Sequence, residues 1–359
     1  MQEKNSGQSY APKGKANIVC APGEFKVGVI GLDHGHIYGM CNGLKEAGAT
    51  IVAVYDANAD AAQNFIKAYP TAVVKKHRDE ILDDPSIQLV ASAIIPSERG
   101  PLGCEVLKRG KDYFADKPPF TTLDQVAEAR RIVKETGRIY GVYYSERLHV
   151  EAATRATELI EQQAIGRVVQ VMGWGPHRAS IDTRPQWFFD KKRNGGILVD
   201  IGCHQIEQIL KWSDAIDGRI TASRTANFNH KHYPGFSDFG DANIITETGC
   251  AGYFRVDWFT PDGLGTWGDG RTIILGTDGY IELRKYIDIA REKEGDHVYW
   301  VNHEGEQHEC VAGVAGFPFF GQFVRDCLDR TETSASQERV FRAIELAIEA
   351  EEKAIRIEQ

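Results

Sequence analysis

Three residues that are far apart in the sequence have side chains suited to moving a proton. Lys117 follows a short apolar run and precedes Pro118, which biases the backbone of Lys117 towards an extended conformation. Asp200 and His204 are four positions apart, so a helix beginning near Asp200 would place both side chains on one face. Because histidine titrates near neutral pH, a carboxylate beside it forms a proton-handling pair. Lys117, Asp200 and His204 are therefore the predicted catalytic residues.

Each of these residues also has a purely structural interpretation. Lys117 could be a surface lysine before a proline turn. Asp200 could cap a helix, and His204 could be a buried histidine whose hydrogen bonds are satisfied.

The turn after the first apolar run carries a second group of polar residues, Gly31-Leu-Asp33-His34-Gly35-His36. A dinucleotide-binding fold places the pyrophosphate here, on free amides at a helix N-terminus. The usual G-x-G-x-x-G fingerprint would need glycine at the positions of Asp33 and His36. Gly35 could still admit a phosphate, and His34 or His36 could donate to it, whereas the Asp33 carboxylate would repel it unless it turned away.

Two other interpretations of this turn stay open. It could be a tight strand-to-helix connection without a ligand. His34 and His36 could hold a metal ion, but the sequence offers no clear third ligand, so no metal is predicted.

Asp56 ends the second apolar run, where an acid can bond the ribose hydroxyls of a bound cofactor. A carboxylate at this place repels a 2′-phosphate, so NAD is predicted as the cofactor over NADP. The alternative is a strand-end aspartate that caps the following helix.

The elements that must position these residues follow two patterns. Between residues 25 and 148, short apolar runs alternate with amphipathic stretches, which indicates βαβ units and a doubly wound parallel sheet. Over residues 149–359, successive runs have few helices between them, which indicates a mostly antiparallel sheet. The prediction is an α/β protein with a Rossmann domain and a second α+β domain. Residues 1–24 form a predicted N-terminal arm, held on the body of the protein or on a partner subunit.

Composition excludes several classes of protein. The chain has 359 residues and a formal net charge of −9, without a lysine or arginine cluster that would bind nucleic acid or an anionic membrane. No window approaches the roughly 18 consecutive apolar residues of a membrane-spanning helix, and the first residues lack a secretory pattern. The seven cysteines are scattered, which is typical of a reducing compartment, so a cytoplasmic location is expected.

The order of these motifs resembles the Gfo/Idh/MocA oxidoreductase family, from about Phe25 to Ala354. Asp116-Lys117-Pro118 stands where the family has Glu-Lys-Pro, and Asp200-Ile-Gly202-Cys-His204 matches its D-x-G-x-H segment. Later segments agree as well: Gly166-Arg167-Val168, Trp187 ahead of Gly195-Gly196, and Gly276-Thr-Asp-Gly279. Besides the altered glycine fingerprint, Gly100 replaces the histidine of a family Pro-x-x-x-His, and Val150 replaces the proline of an Arg-x-x-Pro.

The resemblance implies a nicotinamide cofactor, a sugar, polyol or sugar-derivative substrate, and a homo-oligomer formed through one face of the second sheet. The residues expected to contact the cofactor are Gly31, Asp33, His34, Gly35, His36, Asp56, Ile95, Pro96, Asp116 and Lys117. The residues expected to contact the substrate are Tyr144, Arg147, His177, Arg184, Trp187, Asp200 and His204.

The implied reaction is hydride transfer between a secondary hydroxyl of the substrate and NAD. His204 would take the hydroxyl proton and Lys117 would hydrogen-bond the same oxygen, although which of the two is the final base stays open. Asp200 would orient the substrate. The alternatives are a redox-neutral lyase, hydrolase or epimerase with bound NAD on the same fold, and a non-catalytic sugar- or nucleotide-binding protein.

Overall fold

A computed structural model of the chain describes residue 7 and residues 10–291 and 293–358. These residues divide into two compact units. The first comprises residues 10–143 and 318–340, and the second comprises residue 7, residues 144–317 apart from 292, and residues 341–358. None of the helices in the described parts of the chain is both long enough and apolar enough to cross a bilayer.

The first unit contains a six-stranded parallel sheet, with strand order β3-β2-β1-β4-β5-β6. This order confirms the predicted doubly wound fold. The strands are β1 (Lys26–Ile30), β2 (Thr50–Tyr55), β3 (Val73–Val74), β4 (Leu89–Ser92), β5 (Asp112–Asp116) and β6 (Tyr140–Tyr143). Every residue of the last three is buried, as expected for strands covered by helices on both faces.

Helices join these strands, and the sequence marks several of their ends. Asn58 caps one helix by accepting from the amides of Asp60 and Ala61, and Gly137 ends another in the left-handed region at φ +63°. The helices are α1 (His36–Glu46), α2 (Ala59–Ala68), α3 (Asp79–Leu82), α4 (Pro96–Lys108) and α5 (Leu123–Thr136).

The second unit contains a nine-stranded sheet. Two pairs of its neighbouring strands are parallel and the others are antiparallel, which confirms the predicted mostly antiparallel sheet. Its elements begin with α6 (Ser145–Leu148), α7 (Glu151–Glu161), β7 (Val168–Pro176), α8 (Lys191–Asn194), α9 (Ile197–Asp200) and α10 (Gly202–Trp212). The remaining strands are β8 (Gly218–Ala226), β9 (Phe239–Thr246), β10 (Ala251–Asp257), β11 (Arg271–Gly276), β12 (Gly279–Arg284), β13 (His297–Asn302) and β14 (Gly305–Cys310).

The chain ends with α11 (Pro318–Asp329), α12 (Gln337–Glu352) and β15 (Ile355–Ile357). The sheet order is β14-β13-β12-β11-β7-β10-β9-β8-β15. The parallel pairs are β7 with β10 and β8 with β15.

The division into units differs from the predicted domain ranges at α11, which groups with the first unit. Phe323 packs its ring on Phe114 of β5, with centroids 4.9 Å apart. Phe320 lies so close to Gly43 of α1 that a methyl group there would overlap its ring. Aromatic packing with the Rossmann sheet therefore places a segment that is late in the sequence in the first unit.

The described part of the predicted arm lies along the end of α1. The amide of Gly14 donates to the Glu46 carboxylate at 3.0 Å, and the amides of Asn17 and Val19 donate to carbonyls of residues 46 and 47. Residues 10–24 are thus held on their own chain, whereas residues 1–6, 8 and 9 lie outside the described residues.

The predicted single helix beginning near Asp200 is two helices. Asp200 is the last residue of α9, Ile201 interrupts the helix, and His204 lies in the first turn of α10. Gly202 allows the close approach of Phe254 in β10, since an added methyl group there would lie 3.0 Å from its ring. The prediction of one helix that carries both Asp200 and His204 is therefore wrong, whereas their shared catalytic role stays a prediction.

Candidate active site

The turn after β1 is fixed by hydrogen bonds to the strands on both sides. Gly31 has φ +84°, a conformation that suits glycine, and its amide donates to the Tyr55 carbonyl at 3.0 Å. The Leu32 amide donates to the Asp56 carboxylate at 2.6 Å, and the His34 amide donates to the Ala93 carbonyl at 3.0 Å. These bonds hold the turn at the carboxyl edge of the parallel sheet.

The same turn leaves two amides available to a ligand. Within the described part of the chain, the backbone N–H groups of Asp33 and Gly35 have no hydrogen-bond partner. Gly35 is also the residue before α1, and no side chain caps this helix. Unpaired amides at a helix N-terminus fit the pyrophosphate of a dinucleotide, although two glycines of the usual fingerprint are replaced.

Asp33 is the least favourable residue for an anion at this turn. Burial raises the pKa of its carboxyl, and the negative charges of Asp56 and Glu98 raise it further. The negative charge of a bound phosphate would raise the pKa of the Asp33 carboxyl still further. We therefore expect the Asp33 side chain to turn away from a bound pyrophosphate.

Asp56 is positioned as an acceptor at the end of β2. One carboxylate oxygen accepts from the Leu32 amide and the other accepts from the Asn58 amide at 2.7 Å. The cap of the following helix is Asn58, so Asp56 itself is not the capping residue. The remaining acceptor capacity of Asp56 suits the hydroxyls of a ribose.

A buried cluster joins this turn to the end of β5. Asp116 is fully buried, and its carboxylate lies 2.8 Å from His36 Nδ1, 3.3 Å from His34 Nδ1 and 3.0 Å from Arg99 Nη2. Burial alone would raise the pKa of Asp116, but Arg99 and the two histidines hold it well below its usual value. Burial, followed by the charge of His36, lowers the pKa of His34 well below its usual value, which favours a neutral ring.

The structure supplies the third group that the metal interpretation lacked, because His34, His36 and Asp116 bring their ligand atoms within 4.8 Å of one another. However, the same carboxylate already pairs with the Arg99 guanidinium, whose positive charge opposes a bound cation. The cluster is therefore satisfied as a network of hydrogen bonds and ion pairs.

Arg99 is a site residue that sequence reasoning missed. Its guanidinium donates to the carbonyls of Ile94, Lys117 and Pro118 as well as to Asp116. It thereby fixes the backbone of Lys117, whose peptide bond to Pro118 is cis and whose side chain is buried. The sequence signal that could have identified Arg99 is its position in the first turn of α4, the helix that directly follows β4.

Ile95 and Pro96 lie between these groups in the sequence. Ile95 precedes α4 and Pro96 is its first residue, which places both at the carboxyl end of β4. Their position agrees with the cofactor role expected from the resemblance, and that role stays a prediction.

The second unit contains the predicted Asp200 and His204. His204 is buried, with its ring centroid 6.2 Å from that of Tyr144. Arg184 stacks on Phe188 and Trp258 at 4.5 and 5.0 Å from the ring centroids. Burial lowers the pKa of Arg184 to about 10, partly offset by the Asp200 charge, so the guanidinium stays protonated at neutral pH. A fixed cation therefore accompanies the Asp200 carboxylate.

Three other expected substrate residues have different surroundings. The Arg147 guanidinium is paired with the Glu207 carboxylate at 2.9 Å, so its charge is already balanced. His177 is buried against Trp258 and Trp267, with ring centroids 5.4 and 4.5 Å away. Trp187 is half-buried at 6.5 Å from the Phe188 ring, in a short 3₁₀ helix over residues 186–189.

A buried polar network beneath α10 was also absent from the sequence prediction. The Lys285 ammonium donates to Gln208 Oε1 at 2.7 Å and to Glu146 Oε2 at 3.3 Å, and the Gln205 amide donates to Glu146 at 2.7 Å. Burial lowers the pKa of Lys285, and Glu146 opposes this shift. The network ties the start of α6 and the end of β12 to the helix that carries His204.

Comparison with known proteins identifies the family. Residues 25–144 match a family described as an oxidoreductase family with an NAD-binding Rossmann fold, and residues 153–282 match the GFO/IDH/MocA C-terminal domain. The chain therefore belongs to the Gfo/Idh/MocA oxidoreductase family, which confirms the resemblance of its motifs.

Three relatives show how far this similarity extends. The crystal structure of a candidate oxidoreductase from Erwinia carotovora atroseptica is 47% identical, with a TM-score of 0.90, and the match covers 93% of this chain and 100% of that one. The scyllo-inositol 2-dehydrogenase (NAD(+)) of Bacillus subtilis is 25% identical over 74% of this chain and 72% of that protein. The D-xylose dehydrogenase of Paenarthrobacter nicotinovorans is 26% identical over 42% of this chain and only 38% of that protein.

Proposed function

We propose that the protein is an NAD-dependent dehydrogenase that acts on a secondary hydroxyl of a sugar, polyol or sugar derivative. The observation that carries this proposal is the turn after β1, where the amides of Asp33 and Gly35 have no partner among the described residues and Asp56 ends the next strand. The family and the named relatives, a polyol dehydrogenase and a sugar dehydrogenase, support it.

Each predicted catalytic residue has a role in this reaction. NAD, when bound, supplies the hydride acceptor. His204 accepts the proton of the substrate hydroxyl, because a buried imidazole can act as a general base near neutral pH. Lys117 donates a hydrogen bond to the same oxygen and stabilises the negative charge that develops on it. Asp200 accepts hydrogen bonds from neighbouring hydroxyls of the substrate.

The first test is a titration with NADH and NADPH, followed by nicotinamide fluorescence. We expect NADH to bind at least about tenfold more tightly, because the Asp56 carboxylate repels a 2′-phosphate. Asp56→Asn should reduce this preference by improving NADPH binding, while Asp60→Asn, an exposed aspartate four residues later, serves as the control. A screen of sugars and polyols for NADH formation then tests the reaction. If neither nucleotide binds, the dehydrogenase proposal fails and a sugar-binding protein is favoured.

We also propose that the protein forms a homo-oligomer through the open face of the second sheet. Cross-strand pairing puts Tyr280, Leu275, Gln170, Ala251 and Ile245 in one row across five strands. Three of these are exposed apolar or aromatic side chains, at 43%, 41% and 38% for Tyr280, Leu275 and Ile245. Such a row favours burial against a second copy.

Light scattering checks this assembly. We expect a molar mass of at least two chains, and Leu275→Lys should lower it because burying a lysine charge in an apolar interface is costly. A wild-type mass of one chain would contradict the proposal.

Within the described residues all seven cysteines are free thiols, which supports the expected cytoplasmic location.

A further inference from the structure

An aromatic pocket in the second unit lies beside the residues already described. Its volume is about 580 Å³, within the usual range for a small-molecule site. One wall comes from the loop after β8 and another from the residues that follow β10. The lining residues are Ala179, Phe228, Asn229, His230, Trp258, Phe259 and Thr260. We call this feature the aromatic pocket.

The loop that forms one wall is held rigidly by its own side chains. The Asp238 carboxylate is fully buried and accepts from the amides of Phe228 and Asn229, both at 2.8 Å. The Asn227 amide group donates to the carbonyls of His230 and Tyr233, both at 2.9 Å. Because these hydrogen bonds fix the wall, binding there would cost little conformational entropy.

Polar groups of the pocket have hydrogen-bonding capacity left over. His230 Nδ1 lies 3.0 Å from Asp238 Oδ2, so Nδ1 donates to this carboxylate and the other ring nitrogen, Nε2, can hydrogen-bond a ligand. Among the described residues the Asn229 side-chain amide makes no hydrogen bond, and the Thr260 hydroxyl is buried without a partner. An imidazole nitrogen, an amide and a hydroxyl together match a ligand with several hydroxyl groups.

Trp258 connects the pocket with the candidate substrate residues. Its ring lies 5.4 Å from His177 and 5.0 Å from the Arg184 guanidinium, measured from the ring centroid. The aromatic pocket and the candidate substrate residues His177 and Arg184 therefore share one indole, that of Trp258.

We propose that the aromatic pocket is a second sugar subsite, so that the substrate is a disaccharide or a glycoside rather than a free monosaccharide. Aromatic rings offer apolar faces to the C–H faces of a pyranose, while His230, Asn229 and Thr260 offer groups for its hydroxyls. This inference rests on the proposed dehydrogenase function, because one sugar ring is assigned to the residues around Asp200.

The test compares disaccharides with single sugars in binding to the full chain. Maltose, cellobiose, lactose and melibiose are titrated against methyl glucosides and methyl galactosides by calorimetry, with tryptophan fluorescence as a second readout. We expect at least one disaccharide to bind about tenfold more tightly than its methyl glycoside, as one or two added hydrogen bonds and a ring contact would give.

Asn229→Ala and Phe228→Ala should each remove most of this gain in affinity and leave binding of the methyl glycoside unaffected. Lys231→Ala is the matched control, since it is exposed on the same loop and does not line the pocket.

The outcomes separate this proposal from the proposed function. If no disaccharide binds more tightly than its methyl glycoside, the subsite is disproved even where a monosaccharide is oxidised. If a disaccharide binds through Asn229 but neither NADH nor NADPH binds, the subsite stands and the dehydrogenase assignment fails. If Phe228→Ala lowers the molar mass without changing sugar binding, the pocket holds a second copy of the chain and the proposal is overturned.

Discussion

Replacing Lys117 with alanine is expected to lower turnover by about a thousandfold, the usual range for losing a group that stabilises charge or transfers a proton in the transition state. The fold should persist, because Arg99 donates to the carbonyl of Lys117 and alanine keeps that carbonyl. NADH formation measures the loss, and thermal unfolding and NADH binding show whether the variant is intact. Lys108→Ala is the control, since this lysine is on the surface of the same unit with its side chain 56% exposed.

The comparison with Lys117→Arg distinguishes two roles for the lysine. Arginine stays charged but cannot take up a proton, so it should restore activity in part if Lys117 only stabilises the oxygen, and not at all if Lys117 is the final base. Turnover close to that of the wild type in Lys117→Ala would remove Lys117 from the catalytic group. His204 would then carry the proton transfer alone.

Much of the fold could be predicted from local pattern. Alternating strands and helices specified the parallel sheet, and successive runs without crossover helices specified the antiparallel one. Contacts between distant segments could not be predicted in this way. The packing of Phe320 on Gly43 joins residues 277 positions apart, and nothing local in α11 indicates that partner.

The candidate site shows the same limit. The motif around Asp200 was recognisable, but the break at Ile201 was not, and neither was the close approach of Phe254 from another strand to Gly202. The cluster of His34, His36 and Asp116 could have been anticipated, since a doubly wound sheet places β4 between β1 and β5 and brings the two carboxyl ends close. Arg99 was harder to foresee, because its carbonyl partners carry no signal in the sequence.

Asp116→Asn is expected to have the largest effect on stability, about 3–5 kcal/mol at pH 7, because it leaves the Arg99 charge buried without its carboxylate. The pKa of Asp116 is lower in the folded protein than its unfolded value of about 3.9, so its contribution is fully present above that pH. It is lost as the pH falls towards the folded pKa, and the difference between wild type and variant should shrink below about pH 4. Urea unfolding between pH 7 and 3 measures this difference.

Asp329→Asn is the matched control, because its pair with Arg325 is 45% exposed on both sides and its loss should cost less than about 1 kcal/mol. Equal costs for the two variants would show that the buried cluster does not stabilise the Rossmann unit through this carboxylate.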